Sequence, residues 1–186
     1  MIMKLFVITG TPGTGKSTIA GKVAGQLRGA ELVHVNDVVR RRKLYSSYSR
    51  DGAMIVKMGK LRLELERIIR RSRSRTLILE GHILCELRIR NATAIVIREH
   101  LDALMGRLKK RGYSAKKIQD NIVSEATDYC GIHALSNYSA VFEVKGGSGA
   151  TGRIIRIIKS GTGSREQIEL LPELEKILSK NRKFVS

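Results

Sequence analysis

Residues 4–18 read Lys-Leu-Phe-Val-Ile-Thr-Gly-Thr-Pro-Gly-Thr-Gly-Lys-Ser-Thr. A short apolar run stops at Gly10, and Gly10 to Ser17 fits G-x-x-x-x-G-K-[ST] at every fixed position. Behind it, Ile19, Ala20, Val23, Ala24 and Leu27 recur at helical spacing. The pattern is strand, glycine turn, helix. Glycines let the backbone curl so that successive N–H groups point inward, and the helix start adds positive potential. Together these make a cradle for phosphate oxygens. Lys16 supplies a mobile cation, Ser17 a hydroxyl for Mg²⁺, and Thr18 a hydroxyl near an α-phosphate. The motif names a nucleotide site and leaves the reaction open among kinases, GTPases, helicases and assembly ATPases.

Working outward, apolar runs alternate with helical patterns. Short runs at Glu31 to Val35, Thr76 to Leu79, Ala94 to Ile97, Ala140 to Val144 and Ile154 to Ile158 read as strands. Helical spacing predicts helices over Lys16 to Arg28, Val38 to Leu44, Ala53 to Arg71, Leu101 to Leu108 and Ala115 to Ala126. A closing helix is expected over Ser164 to Leu178, with Ser164 and Gln167 in capping-box spacing. The Gly-rich stretch within 145–152 reads as a flexible loop. Alternating strands and helices specify an α/β domain with a parallel sheet covered on both faces. No second domain and no repeat is visible, so residues 1–186 are expected to form one domain.

Two further elements carry chemistry. Glu80 closes the run Thr76-Leu77-Ile78-Leu79, where P-loop enzymes place an acid for Mg²⁺ or its water. His82 lies two residues on and, in extended backbone, points the same way, where an imidazole can orient water or a phosphoryl group. The bland alternatives are a solvated strand end and a loop histidine. Arg107 and Arg111 are four apart and share a helix face, which suits bidentate phosphate contact. Gly112 then ends that helix and Ser114 caps the next, so the segment reads as a small lid.

Composition sets the outer bounds. The chain has 186 residues, 35 Lys plus Arg against 17 Asp plus Glu, and a net charge of +18. At 42% hydrophobic it has material for a core and is no disordered tail. Neither a membrane span nor a secretory leader is expected. Cys85 and Cys130 match no disulfide framework or metal motif and read as buried thiols in a reducing, cytoplasmic setting. The charge excess suits an anionic partner.

The P-loop, Glu80-Gly81-His82, Arg107 to Tyr113 and Lys116 to Glu125 occur in the order of the adenylate kinase isoenzyme 6 family, in its archaeal form. The resemblance covers roughly residues 3 to 145. It implies a P-loop nucleoside monophosphate kinase fold with a five-stranded parallel sheet, broad-specificity adenylate kinase activity and ATP hydrolysis. It also implies a role in late maturation of the small ribosomal subunit and its 16S rRNA, with ribosomal protein uS11 as partner. Carried over, Gly13, Gly15, Lys16, Ser17 and Thr18 hold ATP, and Arg111 touches it from a lid over about 110–120. A monophosphate segment spans about 34–53 with Asp37 as its acid, a residue equally placed as a helix N-cap. Glu80 stands where relatives usually carry Asp. The monophosphate segment is basic here (Arg40-Arg41-Arg42-Lys43 and Arg50), where that of relatives is often acidic. Residues 145–163 look longer than the usual connection; relatives place a basic residue near here against adenine, a role for which Arg165 fits better than Arg153. Two other readings stay open. One is an assembly switch whose basic segments (Arg40 to Lys43, Lys60 to Arg75, Arg98 to Lys117) face rRNA. The other is a small-metabolite or RNA-end kinase.

Overall fold

The computed structural model describes residues 3–49, 52–163 and 168–180. Its strands are β1 (Lys4–Thr9), β2 (Ala30–His34), β5 (Thr76–Glu80), β6 (Ala92–Arg98) and β7 (Ala140–Lys145) in one sheet, order β2-β5-β1-β6-β7. Every pairing in it is parallel. The alternating pattern predicts a parallel sheet, and the five strands are those the family resemblance implies.

Side chains alternate across β1, so its two faces feed two cores. Leu5 and Val7 join Leu77, Leu79, Ala94 and Val96 under α2 (Val35–Arg41) and α3 (Met58–Arg71). Phe6 and Ile8 join Ile78, Ile95 and Ile97 under α1 (Lys16–Gln26) and α7 (Ala150–Ser160). A third cluster joins α4 (Leu101–Lys110) and α5 (Ala115–Ala126) to α8 (Leu171–Lys180) through Leu104, Leu108, Ile122 and Ile177. No helix among the described residues is long and apolar enough to cross a membrane. Cys85 and Cys130 are free, buried thiols, as expected.

Five sequence expectations change. Ile154 to Ile158 is helix, not strand: Ala150, Ile154, Ile157 and Ile158 are buried at helical spacing. The long helix starts at Met58, because Met54–Val56 forms β4, antiparallel to β3 (Tyr45–Tyr48). The Gly-rich stretch is a tight turn whose Gly149 (φ 83°) starts α7 rather than a loop between strands. A helix not foreseen, α6 (Tyr129–Asn137), starts at Asp128, which accepts from the Gly131 N–H. The closing helix starts only at Leu171. Its expected capping box, Arg165 and Arg50 lie outside the described residues.

Because all five strands run the same way, their C-terminal ends share one edge of the sheet. Such edges are where open α/β sheets bind ligands. β1 delivers the glycine loop there, β5 delivers Glu80, β2 delivers His34 and β6 delivers Arg98.

Candidate active site

Gly10 cannot carry a side chain. Its φ is 140°, and a Cβ would sit 2.4 Å from the Ile97 carbonyl oxygen of β6. The loop therefore leaves the sheet in contact with the neighbouring strand. At Gly13 (φ 99°) a Cβ would meet Leu104 Cδ1 at 2.7 Å and Leu108 Cδ2 at 2.9 Å, so the loop also packs directly on α4.

The loop is braced from within. The Thr11 carbonyl accepts from the Thr14 N–H (3.2 Å), Thr14 Oγ1 (3.0 Å) and Lys16 Nζ (3.2 Å). Lys16 is 7% exposed. Burial lowers its pKa, and the Glu80 charge opposes that effect. An ammonium has three donors, and one carbonyl leaves capacity for phosphate oxygens. No side chain caps α1, whose N-terminus opens on the same space. The cradle thus has the donors and the sign of charge that a polyphosphate needs.

Glu80 is the hub beside it. Its carboxylate is buried at 5% exposure. Oε1 accepts from Ser17 Oγ at 2.9 Å, and Oε2 accepts from His34 Nδ1 at 2.8 Å. The register His34↔Glu80↔Ile8 makes this meeting unavoidable once the strands pair. The sequence marks His34 only as the start of the expected monophosphate segment and not as a partner of Glu80; the signal for that was its place at the end of an apolar run destined to flank β5. A hydroxyl and a carboxylate together are hard oxygen donors that suit Mg²⁺. Ser17 and Thr18 are both exposed and reachable.

His82 begins a 3-10 segment, His82–Glu86, rather than continuing the strand. The residue is exposed at its surface, beside Glu80 and the glycine loop. Burial, then the Lys16 charge, pulls its pKa down to about 4; the Glu80 charge works the other way, and Lys117 of α5 adds a further positive influence. The imidazole is therefore neutral near pH 7.

Arg107 donates to the Gly13 carbonyl (3.3 Å) and pairs with Glu99 Oε2 at 2.7 Å. Arg111 lies close enough for its charge to lower the Lys16 pKa. Of the two arginines of the predicted face, Arg107 contacts the glycine loop directly, and Arg111 acts on it through its charge. Gly112 (φ 70°) ends the turn after α4, and Ser114 Oγ accepts from the Lys117 N–H to start α5. The α4–α5 corner stands where the lid was expected. Asp37 stands apart from this cluster: it is exposed on the first turn of α2, and the N-cap is His34, so the capping alternative for Asp37 does not hold.

A second, internal cluster supports the site. Arg98 is 2% exposed and bonds Glu125 Oε1 (3.2 Å), the Glu125 carbonyl (2.8 Å), Glu143 (3.5 Å) and Asp128. Glu125 also accepts from the Glu99 N–H at 2.9 Å. Arg98 therefore belongs to the core and faces no partner, contrary to its place in a basic segment. Its role is to fix the strand end from which Glu99 reaches Arg107.

Comparisons with known proteins agree with this geometry. A family model described as an AAA domain matches residues 7–128. A Methanosarcina barkeri protein named "Putative adenylate kinase" is 35% identical over 142 residues, covering 75% of each chain. A Pyrococcus abyssi protein of the same name is 33% identical over 165 residues, 87% of each. Among solved structures, a shikimate kinase from Bacteroides thetaiotaomicron superposes with TM-score 0.56 at 16% identity, covering 96% of this chain and 99% of that one. A Thermus thermophilus protein gives 0.59 at 15%, covering 88% and 100%. Those two show the fold alone. With the family model matching most of the chain, and relatives this similar across three quarters of it or more, the protein belongs to the archaeal adenylate kinase family and is a P-loop phosphotransferase.

Proposed function

We propose that the protein transfers the γ-phosphoryl group of ATP to nucleoside monophosphates with broad tolerance, taking ATP and AMP to two ADP. When water replaces the acceptor, it hydrolyses ATP. The observation that supports this best is the Ser17–Glu80 contact set against the buried Lys16. It joins an oxygen donor pair for Mg²⁺ to a cation held at the phosphate cradle.

In this reading, the loop N–H groups, Gly13, Gly15 and Thr18 hold the triphosphate. Ser17 and Glu80 would hold Mg²⁺, whose chemistry is to neutralise charge on the β- and γ-oxygens. Lys16, Arg107 and Arg111 stabilise charge spread over the equatorial oxygens during an in-line transfer. The α4–α5 corner excludes competing water. Asp37 on α2 stands on the acceptor side. Neutral His82 positions the attacking hydroxyl or water, with Glu80 beside it. Lys16→Ala is expected to abolish both AMP-dependent transfer and AMP-independent hydrolysis, measured as labelled ATP turnover. Turnover like that of the wild type would contradict the assignment.

The distribution of charge favours a second reading. Lys16, Arg107 and Arg111 suffice for one nucleotide, and most of the +18 excess lies elsewhere. ATP chemistry would then time a step of small-subunit assembly, with rRNA and uS11 as partners. Slow turnover indifferent to monophosphates separates this reading from the first. Failure of AMP, CMP and UMP alike, with phosphate passing to another acceptor, points instead to a small-metabolite or RNA-end kinase.

A further inference from the structure

A groove of about 980 Å³ opens at the other edge of the sheet. It reaches Ala92, the first residue of β6, and Ser139, just before β7. At about 3.3 Å per residue, the seven residues of β6 put it roughly 20 Å from the nucleotide site. One rim is α3, with Arg62 and Arg70. The other is the turn before β6, with Arg88 and Arg90. Four guanidiniums face one carboxylate, Glu66.

Three features identify what this groove holds. First, all four arginines are exposed, and none makes an ion pair or hydrogen bond with another described residue. On the same helix, Glu64 binds Arg42 and Arg67 and leaves Arg62 and Arg70 unneutralised. Second, Arg62 and Arg70 are eight residues apart, about 12 Å along the helix axis. That span exceeds one phosphate group and matches successive phosphates along a chain. A mononucleotide would engage one end of one rim. Third, the groove offers no ring for base stacking. Its aromatic residue, Tyr138, is buried and donates its hydroxyl to the Leu84 and Leu87 carbonyls, both at 2.7 Å. Guanidiniums without stacking rings contact phosphate backbones and do not read bases.

We propose that this groove is a second polyanion site, and that its occupant is an RNA strand held through its phosphate backbone. The inference deepens the assembly reading by locating its RNA contact. It does not depend on the nucleotide chemistry, and the edge it uses is clear of the P-loop.

The test uses the full chain and a labelled single-stranded RNA of mixed sequence, followed by fluorescence anisotropy across a salt series. Two paired variants strip the rims: Arg62→Ala with Arg70→Ala, and Arg88→Ala with Arg90→Ala. A charge-matched control, Lys22→Ala with Arg28→Ala, alters exposed residues on or beside α1, which covers the opposite face of the sheet. Each groove pair is expected to weaken RNA binding about tenfold or more, and to lower the slope of log K against log salt by about 1 per lost contact. The control pair stays near wild type. AMP-dependent ATP turnover, assayed on the same samples, is unchanged in all three, so a failed kinase reading and a failed groove are told apart. Three results overturn the proposal. One is wild-type RNA affinity in both groove pairs, another an equal loss in the control pair, and the third displacement of the RNA by inorganic tripolyphosphate at matched phosphate concentration.

Discussion

His82 shows how one side chain's surroundings decide its chemistry. An unfolded imidazole titrates near 6.5, whereas burial and the Lys16 charge hold this one at about 4. Above pH 6.5 both states are neutral and the group is indifferent. As pH falls from 6.5 towards 4, the unfolded chain takes up the proton first, so folding loses stability over that window. An NMR titration of His82 is expected to show a midpoint near 4, and His82→Asn should flatten the stability loss between pH 6.5 and 4. A midpoint near 6.5 would contradict the placement. Catalytically, a histidine of this kind works as a neutral donor or acceptor at pH 7. Glu80 differs in kind: two hydrogen bonds, from Ser17 and His34, hold its carboxylate at one spot.

At the scale of elements, α4 is held from behind by α8. Glu173 accepts from the Leu101 N–H at 2.9 Å and pairs with His100, so a residue far along the chain caps α4. α4 carries Arg107, and the turn that follows carries Arg111. Glu173→Ala is expected to cost about 0.5–2 kcal/mol, the range for losing a helix cap, read as a lower urea midpoint with unchanged slope. An unchanged midpoint would show that α8 does not hold α4. This cap was invisible in the sequence, because the partners are seventy residues apart and neither sits in a local motif. The glycine loop, Glu80 and the Arg107–Arg111 face were legible because each is local: a fixed spacing, a strand end, one turn of helix. His34 and Arg98 were not, since their meaning comes from strand pairing and from the packing of α5 and β7. The Ile154–Ile158 stretch shows local composition misleading. Its isoleucines favour strands, but Ala150, Ile154, Ile157 and Ile158 must share one face, and only a helix provides that. The β3–β4 hairpin lost its signature because Ile55 is exposed and merges into the apolar pattern of α3.

At the scale of the whole molecule, the parallel sheet separates two kinds of positive charge. One edge gathers Lys16, Arg107 and Arg111 around an internal phosphate cradle, with Arg98 neutralised in the core behind them. The other edge presents four exposed arginines against the single carboxylate of Glu66, with no ion pair to any of them among the described residues. The first edge supports the central claim, that ATP and a monophosphate meet at the C-terminal ends of the strands. The direct measurement is an acceptor screen with γ-labelled ATP and Mg²⁺, with AMP, CMP, UMP and no acceptor run side by side. The predicted result is label appearing in the diphosphate, one for each ATP consumed, with AMP raising ATP consumption well above the acceptor-free rate. ATP loss that no monophosphate alters, with all the label released as inorganic phosphate, would contradict it.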